Sequence, residues 1–327
     1  MNIYKISLTP RGSINAFPDS QTLFGSICWS IRDLYGEAEL EKLLDDFPNR
    51  DERFVVSSTF LEDLFKAPMM IWATLEEIIN IGEKAGMESS QVSKRGKELK
   101  KIEYLSKGVF KTYLRGELDR LQVVEAILSE EGEYVLKNGI LHYRDEDIPE
   151  YNIYIESSRR NYINRLSSTT YEGQLFYYNR VFLPENASLY FLLKTNNIEY
   201  FLPIFRYMSD IGIGGDKSIG INSYEVSYDG EFTYEKNIKE NILLSKYIPY
   251  YEEVDWINSF FKISVGNYMM ESRDEFFGEN ISKDEVGFLL EGSTLILNQE
   301  KDIYGRLPIV KEIRGKKIRQ NGLGFFL

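Results

Sequence analysis

Apolar and polar positions alternate from the first residues. Tyr4, Ile6 and Leu8 are separated by Lys5, Ser7 and Thr9, which predicts a half-buried strand ending at the turn signal Pro10–Gly12. After the loop SINAFPD the period changes. Leu23, Ile27, Ile31 and Leu34, with Phe24, Cys28 and Tyr35 beside them, recur at helical spacing, and Asp19 or Ser20 can cap that helix. The β-branched run FVVSSTF at 54–60 suits a short buried strand. From Leu61 to about Tyr151 the pattern weakens into mixed helical pieces, which predicts an insertion at about 62–150 on the edge of the domain. QLFYYNRVF (174–182) and SLYFLLK (188–194) are strand-like and joined by the turn LPENA, as in an antiparallel hairpin. Helical spacing returns at 198–211, with Phe201, Ile204, Phe205, Met208 and Ile211 on one face and Pro203 placed in the first turn. GIGGDKSIG (212–220) and a strand-like run, INSYEVSY, follow.

Strand, helix, two strands, helix, strand is the order of a ferredoxin-like βαββαβ unit, here spanning 1–229 with one long insertion. Residues 230–327 carry strands and one or two helices in no legible order, so they predict a second, degenerate α+β domain. Two domains also suit a chain of 327 residues.

Composition narrows the chemistry. A single cysteine, Cys28, excludes an internal disulfide and a thiolate metal cluster, and a single histidine, His142, excludes multi-histidine metal sites. The N-terminus MNIYKISLTPRG has no apolar run of signal or membrane type, so a soluble cytoplasmic protein is expected. The net charge of −12 counts against phosphate binding, but it is segregated. Residues 93–120 hold nine Lys/Arg against four acids (+5), residues 157–182 hold four arginines against Glu172 (+3), and residues 229–302 hold sixteen acids against seven bases (−9). The acidic stretch suits a basic partner protein.

Two clusters carry binding chemistry. Gly212, Gly214 and Gly215 fall within four positions between a helix and a strand; positive φ at Gly214 or Gly215 would turn successive N–H groups into one concavity beside Asp216, Lys217 and Ser218. The loop is neither a Walker A motif nor a dinucleotide fingerprint, because Asp216 precedes the lysine and no helix N-terminus follows. The second cluster interleaves Arg159, Arg160, Asn164 and Arg165 with Tyr162, Tyr171, Phe176, Tyr177 and Tyr178, a mixture suited to phosphates and unstacked bases of single-stranded RNA. No catalytic constellation is legible: a lone histidine in GILHYRDED offers no base–nucleophile pair, and the run Asp145–Asp147 lacks the spacing of a calcium loop.

Three segments carry a family resemblance: FPDSQTLFGSICWSI, with its LFG helix start; NYINRLSSTTYEGQLFYY; and DIGIGGDKSIGINSY. With LLSKYIP and EGSTLIL further on, the chain resembles the RAMP (repeat-associated mysterious protein) subunit of the type III-A CRISPR effector, the Csm complex, that holds the five-prime handle of the guide RNA. The resemblance implies an α+β fold of two ferredoxin-like (RRM-like) domains, the first with a long inserted thumb, within about 62–150, and a glycine-rich loop. It also implies no catalytic role, no cofactor, no metal and no membrane. The partners implied are the guide CRISPR RNA, the large polymerase-like subunit and the backbone RAMP subunit. The RNA-binding set then comprises Gly212, Gly214, Gly215, Asp216, Lys217 and Ser218, the cluster Arg159, Arg160, Asn164 and Arg165, and Ser13, Asn15, Ser20 and Thr22 around the first helix start. Two rival readings are a guide-processing endoribonuclease of the same superfamily, which commonly uses a histidine near a first helix that has none here, and a protein-only interaction module.

Overall fold

The computed structural model describes residues 1–164, 166–167, 169–185, 187–271, 276 and 279–327. The alternation at the N-terminus becomes strand β1 (Asn2–Pro10), with Ile6 and Leu8 fully buried, and the helical stripe becomes α1 (Ser20–Tyr35). Asp19 caps α1 by accepting the Thr22 amide at 2.9 Å, and Gly36, at φ 97°, ends it before the short α2 (Glu37–Asp45). Next come β2 (Phe54–Val56), β3 (Phe60–Leu61) and β4 (Leu64–Lys66).

The insertion then forms α3 (Leu75–Lys84), α4 (Ser89–Gly96), β5 (Tyr104–Ser106), α5 (Lys107–Leu114), α6 (Arg120–Ser129), β6 (Tyr134–Lys137) and β7 (Ile140–Tyr143). Its strands and β4 make a sheet in the order β4–β5–β7–β6. This lobe meets the main sheet along β10 (Leu189–Thr195). Phe65 stacks on Phe110 at 4.1 Å and meets Tyr190 edge-on at 5.8 Å, and the Tyr190 hydroxyl donates to the Leu64 carbonyl at 2.7 Å, so the lobe packs on β10, while Thr9 of β1 and Glu225 and Ser227 of β11 (Tyr224–Glu231) stay exposed on the same face.

That main sheet has the order β11–β1–β10–β2, all antiparallel. With α7 (Ile198–Ile211) between β10 and β11, the first unit has the expected βαββαβ connectivity. Side chains of β10 alternate between faces. Phe191 meets Phe205 of α7 while Phe54, opposite Thr195, meets Phe24 of α1, so both helices lie on the face turned away from the insertion. Being covered on both sides explains why β10 reads as an unbroken apolar run.

Three expectations are corrected. Strand β9 (Thr169–Phe182) pairs not with β10 but with β8 (Tyr154–Asn164), in a long two-stranded hairpin whose register sets Arg159 opposite Tyr177 and Arg160 opposite Phe176. The polar run YIESSRRNYIN hid β8, while LPENA is only the path into the main sheet. Pro203 lies inside α7 beyond its first turn, and Asn197 caps that helix by accepting the Tyr200 amide. In the C-terminal part the described residues form no α-helix. They form the strand pairs β12 (Asn241–Ile242) with β15 (Thr294–Leu295), β13 (Ile263–Gly266) with β14 (Val286–Leu289), β16 (Tyr304–Arg306) with β19 (Gly322–Gly324), and β17 (Ile309–Ile313) with β18 (Lys316–Arg319). Around Trp256, Asp255 accepts the Ile257 and Asn258 amides in a local turn.

The C-terminal strands close over the start of α1. Gln21 donates to the Asn321 carbonyl at 2.7 Å, Asn321 donates to the Ser20 carbonyl at 3.2 Å, and the Ser20 hydroxyl accepts the Lys246 amide at 3.0 Å.

Candidate nucleic-acid interface

The glycine-rich loop begins where Gly212, at φ 80°, ends α7; a β-carbon there would lie 2.7 Å from the Asn222 carbonyl oxygen. The amides of Gly212, Ile213 and Gly214 are spent inside the protein, on the Met208 carbonyl, the Asn222 carbonyl and the Ser26 hydroxyl. The next four amides, Gly215 to Ser218, take no partner among the described residues, and Gly215, Asp216 and Ser218 are exposed. The open amides therefore start at the second glycine of the Gly214–Gly215 pair. Gly214 has the positive φ expected, 86°, and a β-carbon there would sit 3.0 Å from the Thr22 methyl. Gly215 does not: its φ is ordinary and a β-carbon would meet open space. Asp216 takes the left-handed conformation instead, at φ 57°.

Asp216 is the junction of the candidate residues. Its Oδ2 accepts from Asn15 Nδ2 at 2.9 Å and from the Tyr178 hydroxyl at 2.5 Å, and that hydroxyl lies 2.6 Å from Asn15 Oδ1. The N-terminal loop, the glycine-rich loop and the base of the β8–β9 hairpin thus meet at three side chains. Burial and the Asp216 carboxylate raise the Tyr178 phenol above its ordinary pKa, so the hydroxyl stays a donor. The Arg160 guanidinium lies 4.5 Å from the Tyr178 ring centroid, and Arg159 lies 5.8 Å from that of Tyr177. Arg159 and Tyr177 are exposed. Asn222, at φ 58°, supports the junction: its Oδ1 accepts the Asn15 amide and its Nδ2 donates to the Gly215 carbonyl. Sequence reasoning missed Asn222, although an asparagine two residues past a glycine-rich turn is a standing candidate for left-handed backbone.

Other expected site residues sit differently. Ser20 is fully buried, with its amide on the Ser58 hydroxyl, so it cannot face a ligand. Ser13 is buried and serves through its carbonyl, which accepts the Asn222 amide. Thr22 donates to Asp19 at 2.9 Å and lies beneath Gly214. Lys217 is held by Glu271 at 3.2 Å, so its charge is largely compensated. Asn164 lies at the hairpin tip by its backbone, opposite Thr169, and Arg165 lies outside the described residues.

Behind this surface, Lys246 Nζ lies 2.5 Å from Asp19 Oδ2, and the Tyr268 hydroxyl donates to the same oxygen at 2.8 Å while contacting Lys246. Burial would raise the Asp19 pKa, but Lys246, the Thr22 amide and Tyr268 together hold it below the carboxylate range. His142 is buried in β7 with Nδ1 2.7 Å from the Tyr143 carbonyl oxygen, a structural setting. Among the described residues no group of three or more His, Cys, Asp or Glu side chains is arranged to hold a metal, and no helix is long and apolar enough to cross a membrane.

Comparison with known proteins adds the family. Residues 19–221 match the model of the RAMP superfamily. The CRISPR system Cms protein Csm4 of Thermococcus onnurineus (strain NA1) is 23% identical over 256 residues, covering 77% of this chain and 76% of the relative. The Csm4 of Methanocaldococcus jannaschii is 25% identical over 283 residues, covering 76% and 72%. Among solved structures, the Csm3–Csm4 subcomplex of the type III-A CRISPR-Cas interference complex aligns with a TM-score of 0.60 at 18% identity, over 97% of this chain and 98% of that one. A Csm1–Csm4 cassette in complex with pppApA aligns with a TM-score of 0.59 at 19% identity, over 100% and 97%. These likenesses carry the fold, and the family match, spanning more than half of the residues, carries the membership: the chain belongs to the RAMP superfamily.

Proposed function

We propose that this chain is a non-catalytic subunit of a type III-A CRISPR effector complex that binds the five-prime handle of the guide RNA and joins the large subunit to the backbone subunits in the cytoplasm. The observation that carries the reading is the Asn15–Asp216–Tyr178 junction. It gathers four open amides of the glycine-rich loop and the arginines of the hairpin base onto one surface in a chain of net charge −12. Amide donors hold backbone phosphates, and arginines and exposed aromatic rings hold splayed bases. The assembly half of the reading is supported by relatives named Csm4 and by similar solved structures in which a Csm4 is held with Csm1 or Csm3.

In this reading residues 1–229 form the RNA-facing domain, and 230–327, a degenerate second ferredoxin-like unit, faces partner proteins. The compact 62–150 lobe makes the β8–β9 hairpin the better thumb, because it is the extended element, with Tyr154, Ile155, Ile163, Leu166, Leu175 and Tyr177 exposed along it.

The test is handle-RNA affinity at three or more salt concentrations, against scrambled RNA. A steep slope of log affinity on log salt, with preference for the handle that is lost in Arg160→Ala, supports the reading. A flat slope with no preference sinks it in favour of a protein-only module.

A further inference from the structure

A cavity of about 670 Å³ opens where the segment after β4 runs between the inserted lobe and the C-terminal strands. None of its lining residues belongs to the RNA surface described above. Three lysines reach it from three parts of the chain: Lys66 from β4, Lys100 from the turn before β5, and Lys262 from just before β13. No carboxylate of the described residues pairs with any of the three at contact distance. The Lys66 ammonium is half-buried and lies 4.6 Å from the Tyr104 ring centroid.

Burial draws the Lys66 pKa down, Glu103 and Glu291 pull it back up, and Lys262 pushes it down again. A cation so placed, beside a second cation, is stabilised by an anion entering the cavity. The two carboxylates line the same space, and Glu291 is anchored by the Ser58 hydroxyl. Met70, Ile78 and Leu99 supply an apolar wall.

Cations, N–H acceptors and an apolar wall are all met by a ligand that carries an anion, N–H donors and an apolar face. Inorganic phosphate leaves the wall and carboxylates unused, and a fatty acid leaves the carboxylates facing hydrocarbon. The volume falls within the range of small-molecule sites, roughly 300–1,000 Å³. The geometry points to a binding site for a nucleoside phosphate whose base carries N–H donors, with the phosphate on Lys66, Lys100 and Lys262, the donor edge on Glu103 and Glu291, and the base against the apolar wall.

The test is calorimetry or equilibrium dialysis on the full chain, freed of RNA by nuclease, with GMP, AMP, guanosine and inorganic phosphate as probes. A purine monophosphate should bind at least about tenfold more tightly than guanosine or phosphate. Lys66→Met and Lys262→Ala should each weaken it about tenfold or more, the scale of a charge-assisted hydrogen bond. Lys262 is exposed, so its variant tests the site without disturbing the core. Absence of binding at millimolar nucleotide overturns the site. Equal affinity for inorganic phosphate overturns nucleoside recognition, and unchanged affinity in a folded Lys262→Ala chain overturns the lysine assignment.

Discussion

Tyr178 reaches from the base of the β8–β9 hairpin to place its hydroxyl 2.5 Å from Asp216 in the glycine-rich loop, joining elements 38 residues apart in sequence. Because Asn15 shares both groups, the hairpin's direction and the loop's shape are set by one contact. Tyr178→Phe keeps the ring under Arg160 and removes only the hydroxyl. It should cost about 1 kcal/mol of stability and speed hydrogen exchange both at the bonded Ile213 and Gly214 amides of the loop and at the hairpin base. Faster exchange in one element alone would show that the two are not coupled.

Gly214 and Gly215 are neighbours that should behave oppositely. Gly214→Val places a β-branched residue at φ 86° with its β-carbon 3.0 Å from Thr22, and should destabilise the chain by about 2 kcal/mol. Gly215→Ala meets open space at an ordinary φ, and should stay within about 0.5 kcal/mol of the parent. Urea unfolding of the two variants checks this, and equal losses would contradict the loop geometry.

The pairings that pattern reading recovered are those where one face of an element is buried and the other is not. Tyr4, Ile6 and Leu8 gave β1, and the stripe from Leu23 to Leu34 gave α1, because burial imposes periods of 2 and 3.6. Strand β8 was illegible because both its faces are solvent-exposed, so nothing selected an alternation. The C-terminal strands are two to five residues long, shorter than the window in which a period can be recognised. At the site, the glycine spacing revealed the loop, but the Lys217–Glu271 pair and the burial of Ser20 depend on contacts across more than fifty and more than two hundred residues, on which spacing is silent.

The Asp19–Lys246 pair fastens the C-terminal strands to the start of α1 and should be visible in acid. A carboxylate whose folded pKa is depressed contributes stability that is complete above its ordinary value of 3.8 and is lost as pH falls through the depressed one. Asp19→Asn should therefore be less stable than the parent by about 1–3 kcal/mol at pH 7, with the gap narrowing only below about pH 4. Chemical denaturation from pH 3 to 7 tests it; a gap independent of pH would mean that the charge of Asp19 contributes nothing, since asparagine keeps the cap.

Partner docking by the acidic C-terminal part predicts an asymmetry between assembly and RNA binding. Not every acid there is available: Glu253 is buried, accepting from the Tyr247 hydroxyl at 2.7 Å and the Gly305 amide at 3.0 Å. Glu252, Asp284 and Glu285 are exposed, as are Tyr251 and Ile257. Reversing those three charges to lysine should weaken co-purification with partner subunits and leave the handle-over-scrambled preference unchanged. Loss of that preference with intact assembly would reverse the assignment of the two surfaces.

Lys217 and Arg160 should differ in what their loss does to the salt dependence of RNA binding. Lys217 already faces Glu271 at 3.2 Å, so a phosphate reaching it must compete with a carboxylate in place. Lys217→Ala alone should lower the slope of log affinity on log salt by less than the value of about 1 expected for a free phosphate contact. Glu271→Gln should do the reverse, releasing the lysine and steepening the slope by up to about 1. Arg160, held 4.5 Å over the Tyr178 ring and half-buried, has a planar guanidinium that can meet a base or a phosphate. If it reads a base, Arg160→Ala should cost about 1–3 kcal/mol on the handle and little on scrambled RNA, with the slope nearly unchanged. A uniform loss on both RNAs with a lower slope would instead make Arg160 a phosphate contact, and would leave handle selectivity to residues nearer the hairpin tip.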